Sequence, residues 1–184
     1  METVLEKKAN VPTKNQTWLT GMFADRDSAE RAYNSLSKKG YTKDDINILM
    51  SDETRKKHFI NDDKKTELGN KALEGAGKGT AIGGTVGAIA GVIAAIGSNI
   101  VFPGLGLIIA GPLAAGLAGA GAGGITGGLI GALVGAGIPE ERAKVYESGV
   151  KSGKIVMGVK PKSEDDAKIF QDEWKNNKGE EVYY

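Results

Sequence analysis

The chain has 184 residues, with no cysteine, one histidine and only 6% aromatic residues. Without cysteine, disulfides, thiolate catalysis and cysteine zinc sites are excluded. With His58 alone, one chain cannot assemble a histidine metal site or a Ser-His-Asp triad. The net charge of +1 excludes a global electrostatic attraction to nucleic acid. We therefore expect neither an enzyme nor a nucleic-acid-binding protein, and no small-molecule substrate.

Charge is missing altogether from residues 79–139, whereas both flanking segments are heavily charged. Nineteen of the 28 glycines lie between Gly79 and Gly137, far above the usual share of glycine. These contrasts divide the chain into four parts. They are a disordered N-terminal tail (1–16), the first half of an α+β domain (17–62), a glycine-zipper hydrophobic helical hairpin (63–138) and the second half of the α+β domain (139–184). The polar tail has no apolar core of a signal peptide.

The first half of the domain has a β-α-β pattern. Trp18 to Phe23 is typical of a strand, and Asp25 to Ser28 offers caps for a helix that Gly40 ends. Apolar residues at helical spacing form the buried stripe of that helix: Ala29, Ala32, Tyr33 and Leu36. Alternating apolar residues then predict a half-buried strand: Ile46, Ile48 and Met50.

The second half repeats this pattern after an additional helix. That helix starts at Pro139, ends at Gly153 and buries Ala143, Tyr146 and Val150. A strand at Lys154–Val159, a helix capped by Ser163 and a closing strand at Val182–Tyr184 follow. The stripe of the last helix matches the spacing of the first: Ala167, Phe170 and Trp174. We therefore predict an α+β fold, a four-stranded ferredoxin-like sheet with two helices on one face, split by the inserted hairpin.

Within the insert, two runs of glycine keep a strict four-residue period. The ten glycines of these runs are Gly75, Gly79, Gly83, Gly87, Gly91, Gly119, Gly123, Gly127, Gly131 and Gly135. On a helix this period places them on one stripe, which lets a second helix approach closely. We predict these glycines as the helix-packing and oligomerisation residues.

The two arms of the hairpin have the length of membrane spans. Gly79–Ser98 and Leu113–Gly137 are each about 20 residues or slightly more, and both are uncharged. Leu105–Ala110 between them is interpreted as a short helix or a re-entrant turn at the tip. Basic residues on both flanks favour a location at the cytoplasmic membrane, with the α+β domain facing the cytoplasm. The high glycine and alanine content leaves a cytoplasmic alternative open, a water-soluble oligomer in which the hairpins share a core.

Two glycine-rich motifs suggest nucleotide chemistry but lack its context. Residues 119–124 match GxGxxG, yet they lie inside an apolar helical pattern rather than after a strand. Residues 75–80 resemble a phosphate-binding loop, but Gly79 separates Lys78 from Thr80. We predict no cofactor and no metal.

The two flanking halves resemble a known bacterial family. Gly21 to Ala32, followed by Gly40-Tyr41 and Ile46–Met50, is similar to the general stress protein 17M-like (heat-induced stress protein) domain. Ile138 to Val150, followed by Gly153–Val156, is similar to it as well. The resemblance implies a bacterial stress-linked protein and carries no catalytic residues.

Our leading hypothesis is a non-enzymatic stress-response protein that self-assembles through the glycine zipper, with itself and a lipid membrane as partners. One alternative is a soluble particle or filament with the zipper as its buried core. Another is a regulatory domain that binds a ligand on its ferredoxin-like sheet.

Overall fold

The structure, a computed structural model, describes residues 17–60, 89, 101–102, 106–114 and 128–184. The predicted N-terminal tail, residues 1–16, lies outside the described residues. The strands are β1 (Leu19–Phe23), β2 (Ile46–Ser51), β3 (Val101–Phe102), β4 (Leu107–Ala110), β5 (Ile155–Val159) and β6 (Glu180–Tyr183). The helices are α1 (Arg26–Lys38), α2 (Asp52–Arg55), α3 (Gly128–Gly135), α4 (Glu140–Lys151) and α5 (Glu164–Asn176), with a π-helical turn at Lys56–Ile60.

The strands form one sheet in the order β3-β4-β2-β5-β1-β6, and every neighbouring pair is antiparallel. The central pair, β1 and β5, runs from Leu19 opposite Val159 to Phe23 opposite Ile155. The predicted α+β class is therefore confirmed: the chain is a mixed α+β protein.

Local signals in the sequence explain where α1 begins and ends. The Asp25 carboxylate accepts a hydrogen bond from the Ser28 amide at 2.8 Å, which satisfies one of the free donors of the first turn. Gly40 ends the helix at a φ of +79°, and the Tyr41 amide reaches back to the Leu36 carbonyl at 3.2 Å. Both predicted ends are confirmed.

The predicted helices of the second half are also present. In α5, the Ser163 hydroxyl accepts from the Asp166 amide at 3.0 Å. Its predicted stripe is fully buried, at 0% exposure for Ala167, Phe170 and Trp174. In α4, Tyr146 and Val150 are buried as predicted.

Helices cover both faces of the sheet. On one face, side chains of α1 and α5 pack against residues 19, 23, 155, 157 and 159 of the central strands. On the other face, α3 and α4 pack against Met22 and Val156. The prediction of a half-buried β2 is therefore wrong: Leu49, on the second face, is only 2% exposed. The sheet becomes the middle layer of three.

The insert contributes two strands to this sheet, so the prediction of four strands is wrong. Leu107–Ala110, expected as a short helix or a re-entrant turn, is the strand β4 and pairs with β2 from Ile48 to Ser51. Glycines with left-handed backbone stand at both ends of β4: Gly106 at φ +59° and Gly111 at φ +95°. They allow the sharp turns that bring this short apolar run alongside β2.

The described part of the second predicted arm contains a left-handed residue at the start of α3. α3 begins at Gly128, whose φ of +60° lies in the left-handed region and interrupts a right-handed helix. Gly111 lies in the turn after β4. Residues 115–127 of the predicted arm lie outside the described residues, so the helical hairpin stays a prediction.

Candidate self-association surface

One side of α3 is seated firmly on the domain. Leu129 and Leu133 are each 2% exposed, and they pack with Tyr146 and Val150 of α4. Ala132 on the same side is also buried. This burial fixes which face of the helix points away from the domain.

The C-terminal end of α3 is held by two hydrogen bonds. Gly137 adopts a φ of +94°, and the Ile138 amide donates to the Leu133 carbonyl at 3.0 Å, which closes the last turn. The Trp18 indole N–H donates to the Ala136 carbonyl at 2.8 Å. Trp18 precedes β1 directly, so α3 is tied to the start of the central strand.

The opposite side of α3 is exposed. Gly131, Val134 and Gly135 lie three and four residues apart on this side, and all three are exposed. Val134 is 42% exposed. A Cβ built on Gly131 or Gly135 would meet no atom of the described residues within 4 Å. We call this side, residues 131, 134 and 135, the α3 ridge.

The α3 ridge contains two of the ten predicted packing glycines, Gly131 and Gly135. The other eight lie outside the described residues: Gly75, Gly79, Gly83, Gly87, Gly91, Gly119, Gly123 and Gly127. The predicted contact between the two glycine runs is thus untested. At its two described positions, the stripe does not face the domain.

The insert is docked to the sheet at a polar contact that sequence reasoning missed. Asn47 of β2 is buried, and its side-chain oxygen accepts from the Leu113 amide at 2.7 Å. Its side-chain nitrogen donates to the Gly158 carbonyl at 3.3 Å. A side chain at the adjacent Gly111 would overlap the Ile46 carbonyl.

Ile89 is a second residue through which the insert contacts the α+β domain, on the other face of the sheet. Its side chain is 0% exposed and belongs to the core formed with α1, α5 and β4. Its backbone amide donates to the Glu30 carboxylate of α1 at 3.0 Å. The sequence pattern did not single out Glu30.

The adjacent carboxylates in the described residues serve local structure. Asp45 accepts from the amide of Thr42 at 2.8 Å, and this backbone hydrogen bond lowers the pKa of the Asp45 carboxyl. Within the described residues, no three His, Asp or Glu side chains are grouped so as to hold a metal ion. Every residue of β1 and β5 is buried. The ligand-binding alternative stays a prediction.

In comparisons with known proteins, no family model, no curated protein and no solved structure matches the chain. The resemblance to the general stress protein 17M-like domain therefore stays a prediction. In the part of the chain that the structure describes, every helix is too short or too polar to cross a membrane.

Proposed function

We propose that this chain is a non-enzymatic, self-associating protein, and that the α3 ridge is a contact between copies. The carrying observation is the exposed, uncharged ridge of Gly131, Val134 and Gly135 on a helix whose other side is anchored. Glycines at two of its three positions let a second helix come close enough for backbone contacts.

The energetic cost of these glycines supports the proposal. A glycine inside a helix costs about 1 kcal/mol relative to alanine. Gly131 and Gly135 both lie in α3, and no described atom approaches their virtual Cβ positions. Packing within the described fold therefore does not offset the cost. Packing against a second copy would offset it.

The contacts of the insert favour one of the two settings that the sequence left open. Ile89 is the midpoint of the predicted span Gly79–Ser98, yet it is fully buried against the α+β domain. Leu113 and Leu133 of the second predicted span are buried on the other face of the sheet. These positions support an assembly in which each insert packs on its own α+β domain, in preference to a hairpin that spans a membrane. A lipid membrane is the second candidate setting.

The strand order supports the finer fold prediction. Without β3 and β4, the order is β2-β5-β1-β6, and α1 and α5 share one face of the sheet. This is the arrangement that a ferredoxin-like β-α-β duplication would have. The insert would then cover the opposite face together with α4. A role in the bacterial stress response is a further proposal, supported by the sequence resemblance alone.

The test places a bulky side chain on the α3 ridge. Gly131→Leu should fold, because the space around Gly131 is open, and it should lose self-association in sedimentation velocity, because leucine holds the backbones apart. Lys168→Leu, at an exposed position of α5, controls for the added apolar surface.

Each sedimentation run is repeated with mild detergent to distinguish an assembly in water from one that needs a membrane. Loss of association in Gly131→Leu but not in Lys168→Leu supports the proposal. Equal particle sizes for the wild type and Gly131→Leu would contradict it. Particles that form only in detergent would favour the membrane setting.

A further inference from the structure

An ion pair on α1 is largely shielded from water. Arg26 Nε lies 3.7 Å from Glu30 Oε1, one helical turn apart, and the two side chains are only 19% and 11% exposed. A pair at this spacing is ordinarily a solvated surface pair. Here both side chains are mostly out of contact with water.

Arg26 fastens the chain just before the insert. Its guanidinium donates to the His58 carbonyl at 2.9 Å and lies over the Phe59 ring, 5.1 Å from its centroid. Both residues belong to the π-helical turn at Lys56–Ile60, which follows α2. Arg26 therefore holds the chain at one end of the connection to Ile89.

Glu30 fastens the insert itself. Its Oε2 accepts the Ile89 amide at 3.0 Å, in a buried site. A hydrogen bond to a charged acceptor in such a site is stronger than one between neutral groups. Because the Ile89 side chain is 0% exposed beside it, the polar contact and the apolar contact form together.

We propose that Arg26 and Glu30 form a latch that keeps Ile89 docked in its own chain and thereby restrains self-association. The inference rests on the proposed function for its second half. With the latch intact, Ile89 is covered by α1 and the sheet. Once the carboxylate is removed, the amide has lost its acceptor, and an undocked Ile89 adds apolar surface that a second copy can cover.

The first experiment measures the latch alone, by amide hydrogen exchange at Ile89. In Glu30→Ala, exchange should be at least about tenfold faster than in the wild type, as expected for loss of a charge-assisted hydrogen bond. Glu30→Gln keeps an oxygen acceptor without the charge and should fall between the two. Glu141→Ala, an exposed site on α4, should match the wild type. Equal exchange in Glu30→Ala and Glu141→Ala would overturn the latch.

The second experiment measures its consequence by sedimentation velocity. Glu30→Ala should raise the association constant several-fold over the wild type, and Glu141→Ala should not. If Ile89 exchanges faster but association is unchanged, the restraint is refuted. The α3 ridge is tested separately, because Gly131→Leu leaves Glu30 intact. If Glu30→Ala does not fold, as judged by circular dichroism, the isosteric Glu30→Gln is used in both experiments. It should also speed amide exchange at Ile89 and raise the association constant.

Discussion

Replacing Gly111 by alanine tests whether the insert is part of the sheet. Gly111 joins β4 to the helical turn at 112–114, with a φ of +95° that side chains disfavour. A Cβ there would overlap the Ile46 carbonyl oxygen and lie 2.9 Å from the carbonyl carbon of the same residue. It would also lie 3.0 Å from the Asn47 Cα. All three atoms are backbone of β2, so no rotamer change can relieve the clash.

The expected cost combines two effects. A left-handed conformation strains a non-glycine residue by about 1–3 kcal/mol, and displacing β2 from its register adds to this. We expect Gly111→Ala to lower the free energy of unfolding by about 2–4 kcal/mol, near the upper range for single substitutions. For a domain of this size, 1 kcal/mol moves Tm by about 2–4 °C, so the midpoint should fall by roughly 5–15 °C.

The matched control is the same substitution on the α3 ridge. Gly131→Ala falls in a right-handed helix with open space around it, so it should raise the stability by about 0.5–1 kcal/mol. Both variants are measured by urea unfolding at low protein concentration, because self-association would add to apparent stability. If Gly111→Ala were as stable as the wild type, β4 would not lie against β2 as described.

Two further predictions concern buried polar groups. Asn47→Ala should cost about 1–3 kcal/mol in urea unfolding, because it leaves the buried Leu113 amide without its acceptor; an unchanged midpoint would argue against this docking contact. Burial raises the pKa of Tyr41 to about 12, and that of Tyr33 also to about 12. Since these folded pKa values exceed the unfolded value near 10, their stabilising contribution is complete below pH 10 and is lost as the pH rises through 12. Burial also raises the pKa of Tyr146. An absorbance titration should therefore show three late tyrosines in the wild type and two in Tyr41→Phe, and three in both would refute the assignment.

The helices outside the insert could be predicted because their signals are local. Asp25 and Ser163 cap amides three residues ahead, and Gly40 and Gly153 adopt left-handed conformations where side chains would be strained. These effects depend on a few consecutive residues. The capping and the buried stripes could therefore be read without knowledge of the tertiary fold.

The insert could not be predicted in the same way, because its structure depends on distant partners. A short apolar run such as Leu107–Ala110 has no periodicity that distinguishes a buried strand from a helix. Its strand conformation depends on pairing with β2, about 60 residues earlier in the chain. Likewise, Arg26 and Glu30 have the spacing of an ordinary surface pair, and the sequence does not show that Phe59 and Ile89 contact them.

The absence of charge at the described residues of the insert has an explanation within the fold. Described residues of the insert pack on both faces of the sheet: Ile89 and Ile108 on one, Leu107 and Leu133 on the other. A segment divided between two buried layers cannot carry unpaired charge in either. This explains the apolar residues but not the glycines of the α3 ridge, which no described atom approaches. If a second copy packs there, bulky substitutions on the ridge will change association while leaving the folded monomer intact.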